Sequence, residues 1–296
     1  MPETDPFDRQ IVIGLGCFLE ILRQAPAEDG YRVDVTPFPE GHGQDRVDTR
    51  PVAELRFFTD KNVTRDPLFA RVPHRRSNKE PFDTDRPVAA ADLQALRGVV
   101  GDGIRFDASN DPTRVAALRD LSWRAHLVET ETPRTLKESI DLMRIGKSEI
   151  EANPDGIDIG GAFLEALNLA GVMTREKIAD PATTAYAEGL KMYHQILHTA
   201  MAHVWLITDG NSRADQLAAG AAWVRLNLKA SELGLGIHPV NQALQEYAEM
   251  TDLFAEMHGA LDAGPGQRVQ MFGRLGYGPA LKPSPRWPLE TRLRKA

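Results

Sequence analysis

Cysteine is almost missing from this sequence: of 296 residues only Cys17 is one. That excludes an intrachain disulfide framework and suits a reducing compartment. Positive charge is also in deficit, with 35 basic against 42 acidic residues and a net charge of −7. No bulk drive toward nucleic acid or an anionic membrane follows, although a local basic patch can still bind phosphate. The opening MPETDPFDRQ lacks the basic n-region of a signal peptide. The first apolar stretch, Ile11 to Leu22, is short and interrupted by Glu20, so it does not span a bilayer. A soluble, cytoplasmic protein is the default expectation. What is present is globular composition: 42% hydrophobic and 26% charged residues. A chain of this length can bury about three-quarters of its unfolded surface without a disulfide or metal staple.

Periodicity and end signals predict the elements. Residues 8–24 read as a helix, and Tyr31–Thr36 and Val52–Thr59 as strands around a polar turn. A short helix over 66–72 leads to a basic segment, then come a helix over Val88–Arg97, a strand over Ile104–Phe106 and a helix over 112–130. Thr132 as N-cap, Pro133 as first residue and Gly146 as stop frame the next helix, with Leu136, Ile140 and Met143 as its buried stripe. Residues 147–160 read as a loop-rich insertion, a candidate lid or a solvated loop, and helical segments follow to about 195. His203–Thr208 is a strand. The strongest helix follows, opened by the capping-box pair Ser212 and Asp215, with Leu217, Ala221, Val224 and Leu228 on one face and Gly234 as its end. Its small residues 218–222 permit close backbone approach and predict a central position. A strand at Val269–Leu275 and a proline-rich extended arm close the chain. Strands scattered among many helices predict a mixed α/β or α+β fold.

Familiar catalytic signatures are missing. There is no G-x-S-x-G and no G-x-x-x-x-G-K-[ST]; Gly14-Leu15-Gly16 begins a dinucleotide fingerprint that Leu19 breaks, so a tightly packed helix is expected there. Cys17 reads as a small core residue. His194 and His198 have ligand spacing but neither the Glu of H-E-x-x-H nor a cysteine cluster, which fits an ordinary helix surface or a packed histidine pair. The segment at 75–79 differs: Arg75, Arg76 and Lys79 surround Ser77 at a loop-to-helix junction. Guanidinium forks, a hydroxyl and a further cation are what a phosphate monoester requires. A solvated turn has the same composition. Lys282 and Arg286, on the proline-stiffened arm, are candidates to close over the same phosphate.

Arg75-Arg76-Ser77-Asn78-Lys79-Glu80-Pro81-Phe82, followed by Pro87-Val88 and a helix, resembles the R-[RH]-S-x-[RK]-x-F opening of FMN-dependent nitroreductases. Gly220 to Gly236 (GAAWVRLNLKASELGLG) resembles that family's long central helix and its Leu-Gly-Leu-Gly turn. Arg274 to Gly278, with Pro283-Ser284-Pro285-Arg286, is similar to its last strand and C-terminal arm. The Acg-like branch, with two nitroreductase-like halves in one chain, is closer still: its first half has the pattern seen here in Asp5 to Gln10 and Ile13 to Gly16. The match runs in order over nearly the whole chain.

The resemblance implies an α+β fold, with a central, mainly antiparallel sheet flanked by helices around a long buried helix. It implies residues 1–72 as the remnant of a first half and 73–296 as the main FMN-binding half. Arg75, Arg76 and Ser77 fall where the family holds the FMN phosphate, Lys79 where a cation reaches the N1/O2 edge of the flavin, and Arg286 at a C-terminal phosphate contact, with Lys282 nearby. Asn241 and Gln242 stand where relatives have Glu-Gly and offer a backbone N–H to flavin N5. The implied activity is transfer of electrons from NAD(P)H to a nitroaromatic, quinone or similar small-molecule acceptor in a ping-pong cycle, with no protein nucleophile. A flavin-sequestering protein with little turnover, or a relic that binds no flavin, are the alternatives. A homodimer or a pseudo-dimeric monomer is implied, and neither nucleic acid nor membrane is a partner. The A-P-S-x-x-N-x-Q-P-W-like segment of the family is missing, which implies that Met1 lies within the ancestral first half and that an N-terminal segment has been lost, trimmed or left out.

Overall fold

The computed structural model describes residues 1–293, apart from the side chain of Phe163. In chain order the elements are α1 (Arg9–Gln24), β1 (Tyr31–Pro37), β2 (Ala53–Thr59), α2 (Ala90–Arg97), β3 (Arg105–Ser109) and α3 (Pro112–Glu131). Then come α4 (Pro133–Asp141), β4 (Met143–Ile145), α5 (Lys147–Ala152), β5 (Ile157–Ile159), α6 (Ala162–Leu169), α7 (Arg175–Ala179) and α8 (Thr184–His198). The last are β6 (Ala202–Thr208), α9 (Arg213–Glu232), β7 (Gly236–Pro239), α10 (Thr251–Ala260) and β8 (Arg268–Gly276). Two compact units divide them: Met1–Val128 with Ile196–Pro279, and Glu129–Gln195 with Ala280–Ala296.

The first unit is an α+β arrangement built on α9 and a four-stranded sheet of order β3-β6-β8-β7, antiparallel throughout. The expected capping box opens α9: Ser212 Oγ accepts from Asp215 N at 3.2 Å, and Asp215 Oδ2 accepts from Ser212 N at 2.8 Å. As its small residues predict of a central helix, it is buried on nearly all sides. Ala222, Trp223, Leu226 and Asn227 are buried along with Leu217, Val224 and Leu228, while Ala221 is only half-buried. The reason is that α1 lies along one side of α9 and the sheet along another.

Glycine decides how closely α1 and α9 approach. A Cβ on Gly220 would lie 2.0 Å from the Ile13 carbonyl oxygen, and one on Gly16 would lie 2.2 Å from that of Leu217. Gly16, not Gly14, therefore makes the tight helix packing expected of this segment, and Cys17 joins it by donating its thiol to the Gly220 carbonyl at 3.1 Å. The preceding residues anchor α1. Asp5 accepts from Gln10 N at 3.1 Å and Ile11 N at 3.0 Å, which satisfies orphan donors of the first turn. Asp8, in the left-handed region with φ 55°, is buried and pairs with Arg46 from the loop between β1 and β2. β1 and β2 form their own antiparallel ribbon, with Tyr31, Phe57 and Phe58 exposed.

The two faces of the main sheet differ. Val204, Leu206, Ile237, Met271 and Leu275 meet Ala222, Trp223 and Leu226 of α9 in one apolar core. Strand alternation sends His203, Trp205, Phe272, Arg274 and His238 to the other face, where all five are buried.

In the second unit the helix expected to run to Gly146 stops at Asp141, and Met143 enters β4 instead of a helical stripe. Residues 147–160 are likewise not loop-rich: they hold α5 and β5, the latter paired in parallel with β4. Side-chain contacts hold this fold. Ile145 N donates to Glu149 Oε2 at 2.9 Å, while Arg175 reaches Glu149 Oε1 at 3.1 Å and the Met143 carbonyl at 2.8 Å. The arm is extended to Pro288, as expected, and Trp287 donates to Asp155 at 3.0 Å. Among the described residues no helix is long and apolar enough to cross a membrane.

Candidate functional site

The basic loop is attached to the edge of the main sheet in the first unit. Ser77 forms a parallel bridge with Ile237 of β7, and Asn78 N donates to the Ile237 carbonyl at 2.9 Å. Asn78 is buried; its Nδ2 donates to the Pro279 carbonyl at 3.1 Å and its Oδ1 accepts from Glu80 N at 3.1 Å. Phe82 follows, buried, with its N–H on Thr199 Oγ1 at 2.9 Å. Glycine makes room for this ring: a Cβ would lie 2.8 Å from it on Gly236 and 2.5 Å on Gly276.

Arg274 of β8 ties these parts together from below. Its guanidinium donates from Nε to His238 Nδ1 at 3.0 Å, and from Nη2 to the carbonyls of Asn78 at 3.1 Å and Glu80 at 2.8 Å. It also lies 4.0 Å from the centre of the Phe82 ring. Burial, with the charges of Arg274 and Lys79 adding to it, pushes His238 well below the usual imidazole range. His238 is therefore neutral, and because arginine has only donors, Nδ1 is its acceptor atom.

The expected phosphate-binding residues stand on this platform in different states. Arg75, Arg76 and Ser77 are half-buried and Lys79 is exposed. Arg76 Nη1 donates to the carbonyls of Pro73 at 2.8 Å and Arg75 at 2.7 Å, so one arm of its fork braces its own loop. The charge of Arg75 reaches Cys17, where it opposes the burial that pushes the thiol up to about 11. That thiol is a packing group, not a nucleophile. Two guanidinium groups, a hydroxyl and an ammonium on a pinned loop form a donor set that fits a phosphate monoester.

Val240 N donates to the Phe272 carbonyl at 3.0 Å directly after β7, and Phe272 N donates to Asn241 Oδ1 at 2.9 Å. The amide nitrogen of Asn241 lies 2.9 Å from the Gln10 side chain and 3.1 Å from Met271 Sδ. The Asn241 side chain is thus committed to holding α1 and β8, and its carbonyl accepts from Leu244 N at 2.9 Å. Gln242, half-buried, starts a short 3-10 turn to Leu244. Lys282 and Arg286 belong to the second unit, where both are exposed and Arg286 Nη1 donates to the Pro285 carbonyl at 2.7 Å. The structure thus attaches Ser77 to β7 and Asn241 to β8 within one unit, whereas Lys282 and Arg286 lie in the other.

Sequence reasoning missed Arg274 and His238. The available signal was an arginine inside an otherwise apolar strand pattern, between Gly273 and Gly276, where the same periodicity would otherwise place it on solvent.

No family model matches the chain, and no curated protein matches it. Among solved structures, it is similar to a nitroreductase-like family protein from Bacillus cereus, at 14% identity and a TM-score of 0.44, over 79% of this chain and 97% of that one. It is also similar to the FMN-dependent nitroreductase NfnB from Mycobacterium smegmatis in complex with NADPH, at 15% identity and a TM-score of 0.45, over 76% and 96%. A third likeness is to the FMN and NADPH-dependent nitroreductase NfnB from Sphigopyxis sp. strain HMH, at 16% identity and a TM-score of 0.46, over 78% and 99%.

Proposed function

We propose that this chain binds FMN and is a flavin-dependent oxidoreductase that passes electrons from NAD(P)H to a nitroaromatic, quinone or similar acceptor. One observation carries the reading. The three segments that resemble the nitroreductase family, 75–82, 220–236 and 274–278, are far apart in sequence yet meet around β7: Ser77 and Asn78 on Ile237, Phe82 on Gly236 and Gly276, and Arg274 on Asn78 and Glu80.

In this reading Arg75, Arg76 and Ser77 hold the phosphate through charge-assisted hydrogen bonds. Lys79 supplies positive charge beside the N1 edge, which favours the reduced cofactor. The backbone after Pro239, at Asn241 and Gln242, supplies the N–H for N5. The flavin, when bound, supplies the two-electron chemistry, and the protein orients it and limits water. The halves 1–72 and 73–296 describe ancestry of the Acg-like kind. Exposed Phe7, Ile11 and Phe18 beside and along α1 support pairing with a second copy.

The absorption spectrum of purified protein, with and without added FMN, tests the reading. A yellow protein that NADH or NADPH bleaches anaerobically supports the oxidoreductase. A yellow protein that neither bleaches points to sequestration, and a protein that FMN cannot colour refutes the assignment.

A further inference from the structure

We propose that Arg274 is the positioning residue of the 75–80 loop and fixes where Lys79 stands; this deepens the flavin reading above and rests on it. The two carbonyls that Arg274 grips, those of Asn78 and Glu80, flank Lys79 on either side. Asn78 is further pinned by three bonds of its own, to Ile237, Pro279 and Glu80. The backbone around Lys79 is therefore held on both sides, while the Lys79 side chain is exposed.

An ordinary surface lysine needs no such support. Burying a guanidinium is costly unless its N–H groups are used, and a strand that only had to pack would take an aliphatic residue there. The aim of Arg274 is itself set by two contacts. Its Nε is held on His238 Nδ1, an acceptor for as long as the imidazole is neutral, and its plane lies against the Phe82 ring. Arg274 is itself fully buried and acts through the loop.

The test compares wild type with Arg274→Met, which removes the fork without leaving a buried charge. Hydrogen exchange of peptides spanning 74–82 is measured without FMN, FMN affinity by flavin fluorescence, and the reduction potential of the bound flavin in Arg274→Met, Lys79→Ala and the double variant. The expected results are faster exchange confined to the loop, FMN binding about tenfold weaker or more, and a more negative potential that the double variant does not extend beyond Lys79→Ala alone. Unchanged loop exchange, unchanged affinity, or potential shifts that add would each overturn the proposal. If Arg274→Met does not fold, Arg274→Lys, which keeps the charge and loses the fork, carries the same measurements. A wild type that binds no FMN refutes the flavin reading before any variant is compared, and the positioning role with it.

Discussion

Arg9 and Glu246, 237 positions apart in the chain, meet at 2.9 Å with the arginine 1% exposed. The same guanidinium donates to the Gln270 carbonyl at 3.0 Å and to the Leu244 carbonyl, so α1 is fastened to β8 and to the turn before α10. Burial works against the Arg9 charge, and the Glu246 carboxylate compensates for it. Replacing Glu246 by Gln keeps the shape but leaves a buried cation without its counter-charge. The expected loss is about 3 kcal/mol or more of unfolding free energy, read from the urea midpoint at constant slope. A loss below about 1 kcal/mol would assign the pair to the minor surface class.

The α1–α9 crossing predicts opposite signs for two identical substitutions. Gly220→Ala places a methyl 2.0 Å from the Ile13 oxygen and should destabilise by about 1–3 kcal/mol. Gly14→Ala, on the same α1 but with nothing within 4 Å, should stabilise by up to about 1 kcal/mol through helix propensity. Thermal melts of both variants decide; equal effects would remove the glycine contact as the cause.

Acid should weaken the fold well above the range where carboxylates titrate. Burial lowers His203 to about 3 and His126 to about 4, and holds His238 well below its ordinary value. His203 and His126 are neutral when folded at pH 5.5, whereas their unfolded forms take up a proton near pH 6.5. Stability is therefore complete above that value and falls as pH drops toward the folded-state values. Each such histidine contributes a loss of about 1.4 kcal/mol between pH 7.5 and 5.5. Urea titrations at the two pH values and matched ionic strength should differ by about 2 kcal/mol or more; equal stability would contradict the buried neutral histidines.

Cys17 should be nearly inert in the folded protein. With its thiol pushed up to about 11 and bonded to Gly220, its thiolate fraction at pH 8 is roughly a hundredfold below that of a free cysteine. Labelling by an aromatic disulfide reagent should be slow in buffer and fast in urea. Fast labelling of the native protein would contradict its place in the helix crossing.

Arg75→Ala should weaken FMN by about 1.5–3 kcal/mol if its guanidinium makes a charge-assisted bond to phosphate. A fluorescence titration of a correctly folded variant measures this. Unchanged affinity would exclude Arg75 from the phosphate site.

Local signals carried much of this architecture. Ser212 and Asp215 marked the start of α9, Gly234 its end, and the small residues between them its central place. The segments at 75–82 and 274–278 carried the flavin hypothesis. Elements of three residues were not legible: Met143–Ile145 and Ile157–Ile159 are too short for a period to register, and Met143 fitted a helical stripe equally well. Buried polar roles were also hidden. Arg9, Arg274 and His238 look like surface residues by type, and only tertiary partners more than thirty positions away reveal otherwise. Asn241 had the reverse fate, since a residue aligned with a ligand position spends its side chain on Phe272.

The hydrogen bond from Cys17 to Gly220 spans 203 positions. During synthesis α1 therefore leaves the ribosome long before its packing partner exists, and its apolar side must wait uncovered while most of the chain is made. Such late closure slows folding and leaves the nascent chain open to association through that side. α1 is thus made well before it is secured, and a chain halted before residue 220 should be a client of chaperones rather than a folded fragment.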